Sequence, residues 1–161
     1  MPEVIVDTSP LQYLHQLRLL HVLPALASRI VVPRPVVDEL EVGRASGVDV
    51  PDLNRLEWVT IRVSGSPRLL QLLYDLDMGE AAVLALALEV DDPVVVIDDR
   101  LGRTVASALG IPLRGTLGIL LDAKKKGLVQ ALAPCIRRLD ELGFRVNAET
   151  ARTVLRMAGE V

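Results

Sequence analysis

Short runs of β-branched and aliphatic residues alternate along the chain with stretches whose leucines and alanines recur at helical spacing. Val4-Ile5-Val6 is the first such run, stopped by Asp7-Thr8-Ser9-Pro10, where Ser9 can cap a helix and Pro10 can take its first position. Leu11, Leu14, Leu17 and Leu20 then follow a helical period, with a break expected near Pro24 before a second helical piece. Ile30 to Pro33 is another buried-strand signature, and Pro35 to Leu40 opens the next helix. Between Gly43 and Pro67 the pattern is weakest, with one strand-like run at Val59 to Val63. Leu69 to Leu76 restores order. Asp77-Met78-Gly79-Glu80 then starts an apolar helix over Ala81 to Glu89. Pro93 to Ile97 is the clearest strand, ended by Asp98-Asp99. Arg100 to Leu109 is helical and stops at Gly110, and Ile111 to Leu113 reads as a short edge strand. Helices are expected at Thr116 to Ala123, around Ala131 to Leu142 with a Gly143 stop, and from an Asn147 cap through Met157. This alternation predicts an α/β protein: a three-layer α/β/α sandwich around a central parallel sheet. One domain over 1–161 is expected, with 131–161 a C-terminal helical extension.

Composition narrows the class. Half of the 161 residues are hydrophobic, and a chain of this length buries about 70 % of its unfolded surface, which excludes disorder and disulfide scaffolds. The single cysteine, Cys135, excludes a cysteine-based zinc site and fits a reducing compartment. No apolar run approaches the ~20 residues of a membrane span, so no membrane partner and a cytoplasmic location are expected. The net charge of −3 gives no global pull toward nucleic acid, so such a role must rest on a local site. With four aromatics, interleaved stacking platforms are not expected. Apolar content this high with so few aromatics predicts a homo-oligomer, most simply a dimer. The leucines of the first helix and Leu69, Leu72, Leu73 and Leu76 are its candidate faces, although a buried core face explains each, taken alone, somewhat better.

Ligands in open parallel sheets bind beyond the carboxyl ends of the strands, and here those positions are acidic. Asp7 follows the first strand, Glu39 lies a helical turn past the second, and Asp98 and Asp99 follow the clearest one. Glu80 opens the helix leading into that strand. Carboxylates gathered this way raise one another's pKa unless a cation neutralises them. With oxygen donors and no nearby His or Cys, the hard ions Mg²⁺ or Mn²⁺ fit, and their chemistry is activation of water toward a phosphodiester. Each acid also has a structural explanation: Asp77-x-x-Glu80 matches a capping box, Asp7 and Asp99 could serve helix N-termini, and Glu39 could be an exposed helix residue. Arg100, Arg103 and Arg114 could take phosphate oxygens or pair with carboxylates. Thr8, Ser9 and Thr116 could hold the acids or cap helices. Lys124 to Lys126, the only lysines, complement a helix C-terminus, with RNA tracking as a second role. His15 and His21 have no ligand-spaced partner, and no dinucleotide, Walker A, serine-hydrolase or zincin motif occurs.

Together, Asp7-Thr8-Ser9, Glu39 before Leu40, Asp77-x-Gly79-Glu80-Ala81, Ile97-Asp98-Asp99-x-x-Gly102-Arg103-x-x-Ala106 and Gly110-x-x-x-x-Gly115-Thr116-Leu117-Gly118-x-Leu120 resemble the PIN domain family, in its small prokaryotic branch. The resemblance covers residues 4 to 130. It implies a Mg²⁺- or Mn²⁺-dependent endoribonuclease acting on single-stranded or structured RNA, with a toxin role beside a cognate antitoxin protein. The implied catalytic set is Asp7, Glu39, Glu80, Asp98 and Asp99, with Asp7, Glu80, Asp98 and Asp99 at the metal. Thr8, Ser9, Arg100, Arg103, Arg114 and Thr116 are the implied supporting and phosphate residues. Two acids stand where the family pattern commonly has one, so Asp98 and Asp99 are expected to share the role, one at the metal and the other capping the next helix or holding a metal-bound water. The rival expectation is a catalytically silent PIN-like module that binds protein or RNA. A phospho-acceptor receiver domain is disfavoured, because its acidic pair should end the first strand.

Overall fold

A computed structural model describes residues 1–63 and 76–161. Five parallel strands form one sheet: β1 (Glu3–Val6), β2 (Arg29–Pro33), β3 (Val59–Arg62), β4 (Pro93–Val96) and β5 (Leu113–Arg114), in the order β3-β2-β1-β4-β5. Ile5 is in register with Val31 on one side and Val95 on the other. All three side chains are fully buried, as a sheet covered on both faces by helices requires. The chain moves outward from β1 to β2 and β3, then returns to place β4 on the other side of β1. The topological switch point of this three-layer α/β/α sandwich is therefore between the carboxyl ends of β1 and β4.

Eight α-helices lie among the described residues: α1 (Thr8–Gln16), α2 (Val22–Leu26), α3 (Arg34–Ala45), α4 (Met78–Glu89), α5 (Arg100–Ala108), α6 (Thr116–Lys125), α7 (Ala133–Glu141) and α8 (Ala148–Met157). Every residue of α4 from Gly79 to Ala87 is buried, because its alanines and leucines leave no polar face to expose. None of the described helices is long and apolar enough to cross a membrane.

Several details depart from the hydrophobic pattern. The first helix breaks at Arg18 rather than Pro24. Arg18 takes the left-handed conformation (φ 60°), and Leu19 N–H closes onto Leu14 O at 2.9 Å, a termination usually made by glycine. Pro24 sits in the first turn of α2, where its missing N–H is not needed. Ser9 and Pro10 lie inside α1, whose N-cap position is Asp7. The leucine stripe of α1 is not a free contact face, since Leu11, Leu14 and Leu20 are buried in the core and Leu17 is partly so. Leu76 is buried too, while Leu69, Leu72 and Leu73 lie outside the described residues. Lys124 is engaged with Gln130 O at 2.6 Å and with Glu160 at 3.4 Å, and so ties down the C-terminal segment.

Candidate active site

A cleft of about 450 Å³ opens at the switch point and is lined by six carboxylates: Asp7, Glu39, Asp77, Glu80, Asp98 and Asp99. Thr8, Ser9, Gln12 and Tyr13 complete the wall, and no basic side chain is among the lining residues. Five of the six acids are those expected from the sequence. Each arrives on a different device of the fold.

Asp7 leaves β1 with extended backbone (φ −83°, ψ 173°), and its N–H donates to Val96 O at 3.0 Å, which fixes β1 to β4 at their carboxyl ends. Its side chain makes no cap bond to α1 and is buried. Thr8 Oγ1 donates to Glu39 Oε2 at 2.7 Å, joining the start of α1 to α3. Asp77 caps α4 by accepting Glu80 N–H at 2.8 Å, as the capping-box spacing predicts. Glu80 itself is buried in the first turn, where its carboxylate also meets the positive end of the helix.

The paired acids after β4 divide their work. Asp99 caps α5, one oxygen accepting Leu101 N–H at 3.1 Å and Gly102 N–H at 3.4 Å. Asp98 accepts three hydrogen bonds, from Thr116 N–H (2.7 Å), Thr116 Oγ1 (2.7 Å) and Ser9 Oγ (3.0 Å). Ser9 and Thr116 therefore hold Asp98 rather than capping helices with their hydroxyls.

The motif glycines let the acids come close to neighbouring backbone. A Cβ at Gly79 would stand 2.6 Å from Glu39 Oε1 and 3.3 Å from Asp7 Oδ1. One at Gly102 would stand 2.9 Å from Ile97 Cγ2 and 3.0 Å from Glu80 Oε2, and one at Gly115 would meet Arg103 Nη1 at 2.8 Å and Asp98 Oδ1 at 3.0 Å. Residue spacing marked these glycines without revealing that each abuts a carboxylate.

Burial and crowding shift two of the acids. Asp7 is pushed up to about 7, chiefly by desolvation and further by the charges of Asp77, Glu39 and Asp98, against a lowering hydrogen bond from the Thr8 backbone. Glu80 is pushed up to about 8, again chiefly by desolvation, then by a hydrogen bond with Asp77 and the charges of Asp77, Asp7 and Asp99. Both carboxyls therefore keep their protons to higher pH than an exposed acid does, and a cation would compete with those protons.

The three arginines do not line this cleft. Arg114 is drawn away by Asp122, 3.1 Å from its Nε, and its stem lies over Gly118. Arg103 donates from Nη1 to Ile97 O at 3.0 Å. Exposed Arg100 borders a neighbouring depression that also contains Arg103 and Asp98. The expected guanidinium flank around the acids is thus displaced to the far side of Asp98. Sequence reasoning treated Asp77 only as a cap and missed Gln12 and Tyr13 at the cleft. The acid at the cap of the Gly-Glu helix was the available signal for Asp77, while the other two had none.

An all-oxygen set with two protonatable buried carboxyls fits a hard divalent ion in its chemistry. Among the described residues, no three His, Cys, Asp or Glu side chains are grouped so as to hold one ion as they stand. Hydrogen bonding explains part of this: both oxygens of Asp98 are engaged, as is one each of Glu39, Asp77 and Asp99.

No curated protein matches the chain. A family model described as PIN domain matches residues 3–160, which extends the likeness beyond residue 130 to include α7 and α8. With the five-stranded parallel sheet and the acids at its switch point, that match identifies the chain as a member of the PIN domain family, whose fold is of the nuclease type.

Proposed function

We propose that the protein is a Mg²⁺- or Mn²⁺-dependent endoribonuclease whose active site is the six-carboxylate cleft. The observation that carries this reading is the burial of Asp7 and Glu80 side by side with four other acids and no base lining the cleft. Such crowding opposes folding at neutral pH and is relieved by a cation. Asp7 and Glu80 would hold the ion together with the oxygen of Asp99 that makes no cap bond. The chemistry an ion supplies in such a site is activation of water and neutralisation of charge at a scissile phosphate.

The remaining residues orient this set. Asp98, clamped by Thr116 and Ser9, fixes the start of α6 against α1. Asp77 holds the first turn of α4 and so the position of Glu80. Glu39 stands exposed at the mouth with Oε2 held by Thr8, and its free oxygen can take a proton from attacking water.

The direct experiment is cleavage of single-stranded RNA with Mn²⁺ or Mg²⁺. Activity should stop in EDTA and be lost in Asp7→Asn and Glu80→Gln; undiminished cleavage in EDTA would refute the metal mechanism. The side-chain positions, in which no three acids among the described residues grasp one ion, favour a second reading: a catalytically silent PIN-like module that binds protein or RNA. That reading requires Mn²⁺ titration by calorimetry to show no binding that depends on Asp7. The toxin role, with a cognate antitoxin as partner, follows from the family resemblance. It predicts growth arrest on expression, abolished by Asp7→Asn. A homodimer would have to use surfaces other than the buried α1 stripe, and light scattering at micromolar concentration tests it.

A further inference from the structure

Beside the acidic cleft, and sharing Asp98 with it, lies a second cavity of about 620 Å³ between α6, the 143–147 turn and α8. The two differ in charge. Arg103, Arg114, Lys125 and Arg145 face Asp98 and Asp122 here, and Arg114 is spent on Asp122. Arg103, Lys125 and Arg145 are left against Asp98 alone, whereas six acids and no base line the neighbouring cleft. Lys125 and Arg145 are exposed and have no hydrogen bond or ion pair among the described residues. Leu117, Phe144, Val146 and Val154 give the cavity an apolar wall.

The aromatic residues mark the joint between the cavities. Tyr13 lines the acidic cleft and Phe144 the basic one, and their rings meet edge to face with centroids 5.0 Å apart. The far wall is α8, which buries no residue completely and is held at its end by Glu160. Glu160 accepts Leu132 N–H at 2.7 Å and Ala133 N–H at 3.1 Å.

We infer that this groove is a nucleotide subsite for a single-stranded nucleic acid, holding the strand where it leaves the acidic cleft. The inference rests on the proposed nuclease reading and names where its substrate continues. A polyanion with one phosphate among neutralised acids must place the next phosphates outside them, and the adjoining groove is where unpaired cations wait. Arg103, which borders Asp98 in both this cavity and the neighbouring depression, takes the first of these phosphates, and Lys125 and Arg145 take the one beyond. The apolar wall with Phe144 accepts a base without reading its sequence. An acidic peptide would be met by the same cations, but the continuity of the groove with a cleft suited to phosphate chemistry favours a nucleic-acid strand.

The test is anisotropy of a fluorescein-labelled ten-nucleotide single-stranded RNA in EDTA, where binding is read without cleavage. Lys125→Glu/Arg145→Glu should weaken binding tenfold or more and flatten the salt dependence by about 0.7 in log–log slope, for the one phosphate contact the pair supplies. Arg29→Glu/Arg137→Glu makes the same charge change at exposed residues that line neither cavity and should alter affinity less than twofold. If either glutamate pair fails to fold by circular dichroism, the corresponding glutamine pair replaces it. Equal weakening by both pairs, no binding by wild type, or equal displacement of the RNA by oligoglutamate overturns the subsite. Wild type that binds through the groove but cleaves nothing with Mn²⁺ refutes the nuclease reading and leaves the subsite standing. Cleaving wild type whose groove variant keeps full affinity refutes the subsite alone.

Discussion

Replacing Asp7 by asparagine should stabilise the metal-free protein at pH 8 and leave it nearly unchanged at pH 4. The Asp7 carboxyl is raised from 3.8 to about 7 by burial first and by neighbouring acids second. Because its folded pKa lies above its unfolded one, the folded state binds the proton more tightly. Below pH ~4 the group is protonated in both states and carries no penalty. As pH rises toward 7, the unfolded chain ionises first and stability falls by about 1.4 kcal/mol per unit. Above pH ~7 the loss levels off. The full shift corresponds to roughly 4 kcal/mol, and relaxation of the cleft with water entry reduces the recoverable part to about 2 kcal/mol. The asparagine oxygen can keep the hydrogen bond from the Thr8 backbone, so little is lost in exchange.

At roughly 2–4 °C per kcal/mol for a chain of this size, the variant should melt about 4–8 °C above wild type at pH 8 in EDTA. Calorimetric scans at pH 4, 6 and 8 give the profile. Saturating Mn²⁺ should reverse the order, because wild type gains binding free energy that the variant lacks. An Asp7→Asn protein that melts at or below wild type at pH 8 in EDTA, or gains equally at pH 4 and pH 8, would refute the argument.

Asp98→Asn should act in the opposite direction: an amide cannot accept all three bonds from Thr116 and Ser9, so denaturant titration in EDTA should show a loss of about 1–3 kcal/mol. A gain there would mean that acid repulsion outweighs the clamp. Gly102→Ala places a methyl 2.9 Å from the buried Ile97 and should destabilise by about 1–3 kcal/mol, measured by the same titration. Gly79→Ala places a methyl 2.6 Å from the exposed Glu39 carboxylate and 3.3 Å from Asp7 Oδ1, so it should cost little stability while lowering Mn²⁺ affinity in calorimetry. Glu160 is held below its ordinary carboxyl range, chiefly by the Leu132 backbone N–H, so its contribution is present near neutrality and fades as pH falls through its lowered value. Glu160→Ala should speed amide exchange at Leu132 and Ala133 at pH 7, an effect that narrows in acid.

The sheet was largely legible because β1, β2 and β4 are compact β-branched or aliphatic runs, and parallel strands buried on both faces need no polar alternation; the edge strand β5 falls at Leu113–Arg114 rather than over Ile111 to Leu113. Asp7, Glu39, Glu80, Asp98 and Asp99 were legible as a group because a doubly wound topology gathers the residues after its strands at one rim. The break at Arg18 was not, since a left-handed residue other than glycine leaves no mark in composition. Arginine placement was equally hidden: whether Arg114 reaches a substrate or Asp122 depends on a salt bridge across a turn of α6 and on Gly118 making room for the stem. The division between Asp98 and Asp99 was read as a sharing of metal contact and capping. The folded chain makes one acid the cap of α5 and the other the clamp of α6, which adjacency in sequence could not resolve.

These assignments separate the six acids by what folding alone explains. Asp77 and Asp99 cap helices, Asp98 ties three elements together, and Glu39 is exposed and held by a threonine. Removing any of them would break a contact that serves the fold. Asp7 and Glu80 are different. Neither side chain caps a helix or faces a base in an ion pair, yet both are buried and destabilised in their charged forms. A chain under selection for stability alone would place an amide or a small apolar residue at these positions. The local conflict is therefore concentrated at two carboxyls of one cleft, one after β1 and one at the start of α4. Chemistry at this cleft should depend most steeply on those two, with the four surrounding acids acting through the positions and charges they impose on them.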